Sequence, residues 1–259
     1  MTATLLVGCA SSTPHPAAPA PEIANPGTTM IVGELHGTRE IPAAFGTLVA
    51  AAKHPIVGLE ISRADQPKLD AYLASNGDAA AKAALLEGRW AYPDGRSSEA
   101  MLALIDQLRV AHVPIVAFDI ADDLDDENVR EKTMTEPLLA ARRAHPEAAL
   151  FVLTGSFHAA LAPIGDSNIQ RMAQRLKNDI PDLRSLAIDW MSGSTWICTG
   201  FNQCGVQDLP MHTEGDPTVR TTMDPEKTAE GVVLYDGHLH VGHISASPPA
   251  KKAAPLHLE

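Results

Sequence analysis

Short apolar runs alternate along this chain with stretches whose apolar residues recur at helical spacing. Thr28 to Gly33 (TTMIVG), Pro55 to Ile61 (PIVGLEI), Pro114 to Asp119 (PIVAFD), Ala149 to Thr154 (ALFVLT) and Ser185 to Asp189 (SLAID) each read as a buried strand. Between the first two, Ile41 to Lys53 carries apolar residues at 41, 44, 45, 48, 49 and 52, which predicts a helix with Pro42 in its first turn. Helical sequence fills 66–90, with a break at Asn76-Gly77. Ser97 or Ser98 caps a helix running to Arg109, with Met101, Leu102, Ile105 and Leu108 on one face. A polar helix follows over 124–144, expected to be disturbed at Pro137, and another from Ser167 to Lys177. Residues 191–230, rich in Gly, Thr, Asp and Pro, read as irregular, and Val232 to Tyr235 and His238 to Ile244 read as closing strands.

Continuous apolar strands alternating with helices imply an α/β fold: a single domain with a mainly parallel sheet covered by helices on both faces, and irregular or antiparallel strands at the C-terminal end. The domain is expected over 28–246. Before it, residues 10–27 carry Pro14, Pro16, Pro19, Pro21 and Pro26 and read as an extended spacer. Residues 247–259 read as a flexible tail. Leu5-Leu-Val-Gly-Cys9-Ala-Ser resembles a bacterial lipobox, which makes Cys9 the expected lipidation site and residues 1–9 the end of a signal. No Lys or Arg precedes Cys9, so a true start further upstream is expected. The expected location is the bacterial cell envelope, lipid-anchored at the outer membrane, with membrane contact through that anchor alone. Cys198 and Cys204 remain as a pair, read as a disulfide of an exported protein.

Charge narrows the partners. Twenty Lys and Arg against 32 Asp and Glu give a net charge of −12. That argues against nucleic acid and against electrostatic docking on anionic lipid, both of which need clustered basic charge. Aromatic residues make up 4% of the chain, too few for a base-stacking surface. A small-molecule or peptide substrate is expected; the oligomeric state is open.

In parallel sheets ligands bind beyond the carboxyl ends of the strands. Strand one ends in Gly33-Glu34-Leu35-His36-Gly37-Thr38-Arg39, strand two in Leu59-Glu60, strand three in Asp119 and strand four in Gly155-Ser156-Phe157-His158. Glu34, His36, Glu60 and His158 are the leading site residues, with Asp119 and Arg39 behind them. Glu34 and His36 are two apart and share a face in extended chain. G-x-x-H occurs a third time at Gly237 to His240, where His238, His240 and His243 form an alternative metal cluster.

Two strand-terminal G-x-x-H elements with a carboxylate strand between them resemble the superfamily joining Tiki and TraB metalloproteases, erythromycin esterases and ChaN-like haem-binding lipoproteins. Gly33 to Glu40 is especially similar to the first esterase motif, and the likeness extends over about 28–249 in element order. Each branch implies a function. The Tiki-like one implies a divalent metal (Zn, Mn, Co or Fe) held by Glu34, His36, Glu60 and His158, which activates water for ester or peptide hydrolysis. The esterase-like one implies water activated by a His with a Glu to orient it, with Arg39 holding an anion. The ChaN-like one implies a haem carrier in iron uptake, with a His, Tyr or Met ligand. The metal-assisted envelope hydrolase is the leading expectation, then haem binding, then a catalytically inactive binding lipoprotein.

Overall fold

The predicted apolar runs pair side by side into one seven-stranded sheet. The structure, a computed structural model, describes residues 25–251 apart from 89, 91–92, 121–125, 166 and 201–202. Cys9, most of the Pro-rich spacer, Tyr92 and residues 252–259 lie outside the described residues.

The first half alternates strand and helix: β1 (Thr29–Glu34), α1 (Glu40–Ala50), β2 (Pro55–Ser62), α2 (Gln66–Leu73), α3 (Ala79–Leu85), α4 (Glu99–Val110) and β3 (Ile115–Asp119). Next come α5 (Glu127–Ala144), β4 (Ala149–Gly155), the single turn α6 (Ser156–Ala159), α7 (Met172–Asp179) and β5 (Arg184–Asp189). Short strands complete the chain: β6 (Gly193–Cys198), β7 (Cys204–Leu209), β8 (Arg220–Thr222), β9 (Glu226–Lys227), β10 (Val233–Tyr235) and β11 (Gly237–His240). The large sheet has the order β3-β2-β4-β1-β5-β11-β8. Every pairing in it is parallel except the one that adds β8 to β11. Two small antiparallel pairs, β6–β7 and β9–β10, stand apart.

The strands are apolar throughout because both faces are covered. Met30 and Val32 of β1, Val57 and Leu59 of β2 and Phe151 and Leu153 of β4 pack with Phe45 of α1 and Leu104 and Ile105 of α4. Ile31, Ile56, Leu150 and Val152 face the other way, against Met134 and Leu138 of α5 and Met172 and Leu176 of α7. Alternate residues of each strand thus feed two cores, as the pleat dictates.

Four expectations change. The helix expected from Ser167 begins at Met172; the Ser167 hydroxyl instead accepts from Ile169 N–H in a turn. α5 runs unbroken through Pro137. Residues 191–230 contain a hairpin, β6–β7, in which Cys198 and Cys204 are cross-strand partners joined by the expected disulfide. Its strands are only partly buried, so no apolar run announced them. The tail expected from 247 is docked in its first residues. Ser247 is fully buried, its N–H donates to Gly37 O, and Ala250 N–H donates to Ser97 O.

Candidate functional site

Four neighbouring parallel strands, β3, β2, β4 and β1, end at one edge. There they bring together Asp119, Glu60, the Gly155–His158 turn and Glu34 with His36. Two histidine–glutamate pairs face a central carboxylate. His36 Nδ1 lies 2.9 Å from Glu34 Oε1, and its Nε2 lies 3.7 Å from Glu60 Oε2. His158 Nδ1 lies 3.0 Å from Glu131 Oε1, and its Nε2 lies 3.9 Å from Glu60 Oε1.

Glu60 is buried and heavily solvated by protein. It accepts from the Thr154 hydroxyl at 2.8 Å and from Gly155 N–H at 2.7 Å. Arg130 Nη2 lies 3.4 Å and Arg96 Nη1 3.5 Å from its Oε1. Burial opposes its charge, but His36, His158 and Arg96 outweigh that and hold its carboxyl well below the usual carboxylate range. For His36 burial again opposes the charge, and Glu34 and Glu60 outweigh it, so the ring is pushed up to about 9. His36 is therefore an imidazolium at neutral pH.

His158 is wired differently. Glu131, buried at 2% exposure, also accepts from Met172 N–H at 2.7 Å and from Arg171 Nη1 at 3.3 Å. It caps the N-terminus of α7, where the helix dipole favours a carboxylate. Its pKa is lowered: His158 and the Met172 amide overcome burial. An ionised Glu131 only accepts, so His158 carries its proton on Nδ1. Arg130 Nη1, 3.3 Å from His158 Nε2, only donates. In the neutral ring the Nε2 lone pair meets that Arg130 N–H, and a general base acting here exchanges the contact for a water.

Gly155 lets these groups approach the backbone closely. A Cβ built there would sit 3.1 Å from His36 Nε2, 3.5 Å from Glu60 Oε2 and 3.6 Å from His158 Cδ2. Without a side chain at 155 the two imidazoles and the carboxylate crowd together against the end of the strand.

Asp119 belongs to the site as a holder of cations. Its Oδ2 accepts from Arg130 Nη2 at 2.9 Å and Arg96 Nη1 at 3.0 Å, and Arg130 Nε reaches Oδ1 at 3.1 Å. Arg39 does not reach this edge. Half exposed, it donates to Ala246 O at 3.1 Å and pairs with Glu99 at 3.8 Å, tying α1 to the C-terminal segment. Sequence reasoning missed Arg96, Arg130 and Glu131. Arg96 comes from a loop without a motif. Glu131 was readable: it shares the buried stripe of α5 with Met134 and Leu138, an acid at a core-facing position.

The donor set does not fit a resident divalent metal. Among the described residues no group of three or more His, Cys, Asp and Glu side chains is arranged to hold a metal ion. At this edge the guanidinium groups of Arg96 and Arg130 already lie within 3.5 Å of Glu60 and within 3.0 Å of Asp119. In the alternative cluster the His238 and His240 rings are neighbours, 5.9 Å between centroids, but His238, His240 and His243 each have other partners. His240 sits between Asp189 at 2.5 Å and Thr222 Oγ1 at 3.0 Å. His238 faces Glu226 at 3.5 Å, and His243 bonds Ser192 at 2.9 Å. Tyrosine is one residue type the haem reading allows as ligand; Tyr72 donates to Asp106 and Tyr235 to Ser156 O, both at 2.8 Å.

The β6–β7 hairpin fixes the two loops that carry His36 and Arg96. Thr195 Oγ1 donates to His36 O at 2.5 Å, Trp196 N–H to Gly37 O at 2.9 Å and Trp196 Nε1 to Pro93 O at 3.0 Å. Gly37, at φ +72°, packs so tightly that a Cβ would lie 2.0 Å from Trp196 O.

An α/β sheet with its charged cluster at the carboxyl edge defines the fold class, and solved structures share it. The erythromycin esterase EreC, as a mutant in its open conformation, superposes with TM-score 0.65 at 11% identity, covering 90% of this chain and 95% of its own. A succinoglycan biosynthesis protein gives TM-score 0.61 at 11% identity, with coverage of 87% and 90%. A Bacillus cereus protein gives 0.54 at 11% identity, with coverage of 88% and 91%. At that identity the likeness is one of fold. Neither the family models nor the curated proteins give a match to the sequence.

Proposed function

We propose that this protein is a hydrolase of small esters that works without a resident metal. The carrying observation is the convergence of His36 Nε2 and His158 Nε2 on Glu60, with the buried Glu131 behind His158. Water held there gives its proton to His158 Nε2 as its oxygen attacks the ester carbonyl. Glu131 keeps the base in the working tautomer and stabilises the imidazolium that forms. The oxyanion develops against charged His36 and the guanidinium groups of Arg96 and Arg130, donors held in place by Glu34, Glu60 and Asp119. Collapse expels the alcohol, which takes the proton back from His158. Glu60 orients the water and keeps His36 charged. The erythromycin esterase fold at TM-score 0.65 supports a hydrolase. The Cys198–Cys204 disulfide supports an oxidising compartment outside the cytoplasm, and with it the lipid-anchored envelope reading of Cys9.

The test is turnover of a panel of p-nitrophenyl esters by wild type and His158→Gln. The variant is expected to lose about 10²–10⁴-fold in kcat/KM, the usual contribution of a general base. Equal rates overturn the assignment of His158. No turnover by wild type of any ester, together with a Soret band on haem titration, overturns the hydrolase in favour of the haem carrier.

A further inference from the structure

Beside His158 a cavity of about 300 Å³ is bounded by Glu127, Arg130, Glu131, Phe157, His158 and Arg171. It lies at the small end of ligand pockets, which run from ~300 to 1,000 Å³. Its surroundings are built for a charge and an apolar group together. Arg171 is only 8% exposed, yet its buried Nε–H has no hydrogen-bond partner. A buried donor left unpaired is unfavourable, so this edge of the guanidinium is a ready site for an acceptor. Phe157, 60% exposed, lies over Arg171 with 5.6 Å between guanidinium carbon and ring centroid. An exposed ring is free to swing off that edge and pack against a ligand's apolar part. The charges decide the sign of the guest. Glu131 is already matched by Arg171, His158 and the Met172 amide. Glu127 is exposed at the rim, where water and salt screen it; Arg171 is inside, where they do not.

We infer that this cavity is a binding subsite for a small carboxylic acid group carried on an apolar, preferably aryl, skeleton. A single open guanidinium edge suits one monoanion. A phosphate would press its second charge against Glu127 and Glu131. The location next to His158 Nε2 makes the natural substrate an ester with a free carboxylate a few bonds from the scissile carbonyl. That last step rests on the hydrolase reading; the binding itself does not.

The experiment is calorimetric titration of the full chain with 3-phenylpropionate, its neutral amide, propionate and inorganic phosphate. The aryl acid is expected to bind about tenfold or more tighter than the amide, a difference of ~1.4 kcal/mol. Arg171→Gln is expected to bring acid and amide level. Phe157→Ala, a change at an exposed position, is expected to bring the aryl acid down towards propionate while the preference for acid over amide stays. Equal binding of acid and amide by wild type overturns the inference, as does a preference that survives Arg171→Gln. Phosphate binding as tightly as the aryl acid overturns the carboxylate assignment. Ester assays separate the two readings. Acid binding without any ester turnover leaves the subsite standing and the hydrolase fallen; unselective turnover without acid binding does the reverse.

Discussion

A methyl group at residue 155 is the smallest change that presses on the proposed site. Gly155 has φ −53°, a conformation alanine adopts without strain, and the added Cβ would meet His36 Nε2 at 3.1 Å. Gly155→Ala is therefore expected to lower kcat/KM by about 10²-fold, the scale set by ångström displacements of reacting groups. Its melting temperature should stay within about 4 °C of wild type, equivalent to ~1 kcal/mol or less. Wild-type activity in this variant places the reaction elsewhere. His36 gives a pH signature. Its charge, held up to about 9, predicts an alkaline limb near that value, absent in His36→Gln. The sign for stability follows. A raised histidine contributes fully below its ordinary value of 6.5 and loses that contribution as pH rises through about 9. The stability gap between wild type and His36→Gln, followed by thermal melts, should thus narrow from about pH 6 to pH 10. A gap independent of pH contradicts the charged His36. Glu34, His36, Glu60, Asp119 and His158 were legible because each follows an apolar strand in a parallel sheet, whose geometry sends them to one edge. Arg39 misled because it sits beside the motif in sequence yet turns to the C-terminal segment.

At the scale of elements, strands and helices were readable where burial imposes a period. β1 to β5 and α1, α4 and α5 carry that pattern, and their places follow from it. The β6–β7 hairpin does not. It is held by its disulfide, by a backbone bond to Gly37 and by the Trp196 indole N–H on Pro93 O, partners remote in sequence that no local pattern encodes. The start of α7 escaped for the same reason, since the residue that caps it, Glu131, comes from α5. Because the hairpin positions the loops of His36 and Arg96, opening it should affect function as well as stability. Cys198→Ser with Cys204→Ser is expected to cost about 2 kcal/mol, the chain-entropy value for so short a loop. It should also lower kcat more than it raises KM, since the loops it frees carry the stabilising charges rather than the cavity beside Phe157. Steady-state kinetics and melting curves check both, and a variant with unchanged kcat removes the hairpin from the account.

For the whole molecule the sequence and the fold agree on an acidic α/β domain with a charged cluster at the carboxyl edge of a mainly parallel sheet. What the sequence left open, metal against no metal, turns on side chains that no motif marks. Arg96 and Arg130 bring positive charge to the centre of a cluster that, read as Glu34, His36, Glu60 and His158 alone, invites a dication. The most direct test is ester turnover by protein freed of metal with a chelator, with the metal content measured and Zn, Mn, Co and Fe then added back singly. The account predicts that metal-free protein keeps its full kcat/KM and that no added metal raises it. Loss of turnover on chelation, with recovery on adding one of these metals, contradicts it and returns His36 and His158 to the role of metal ligands.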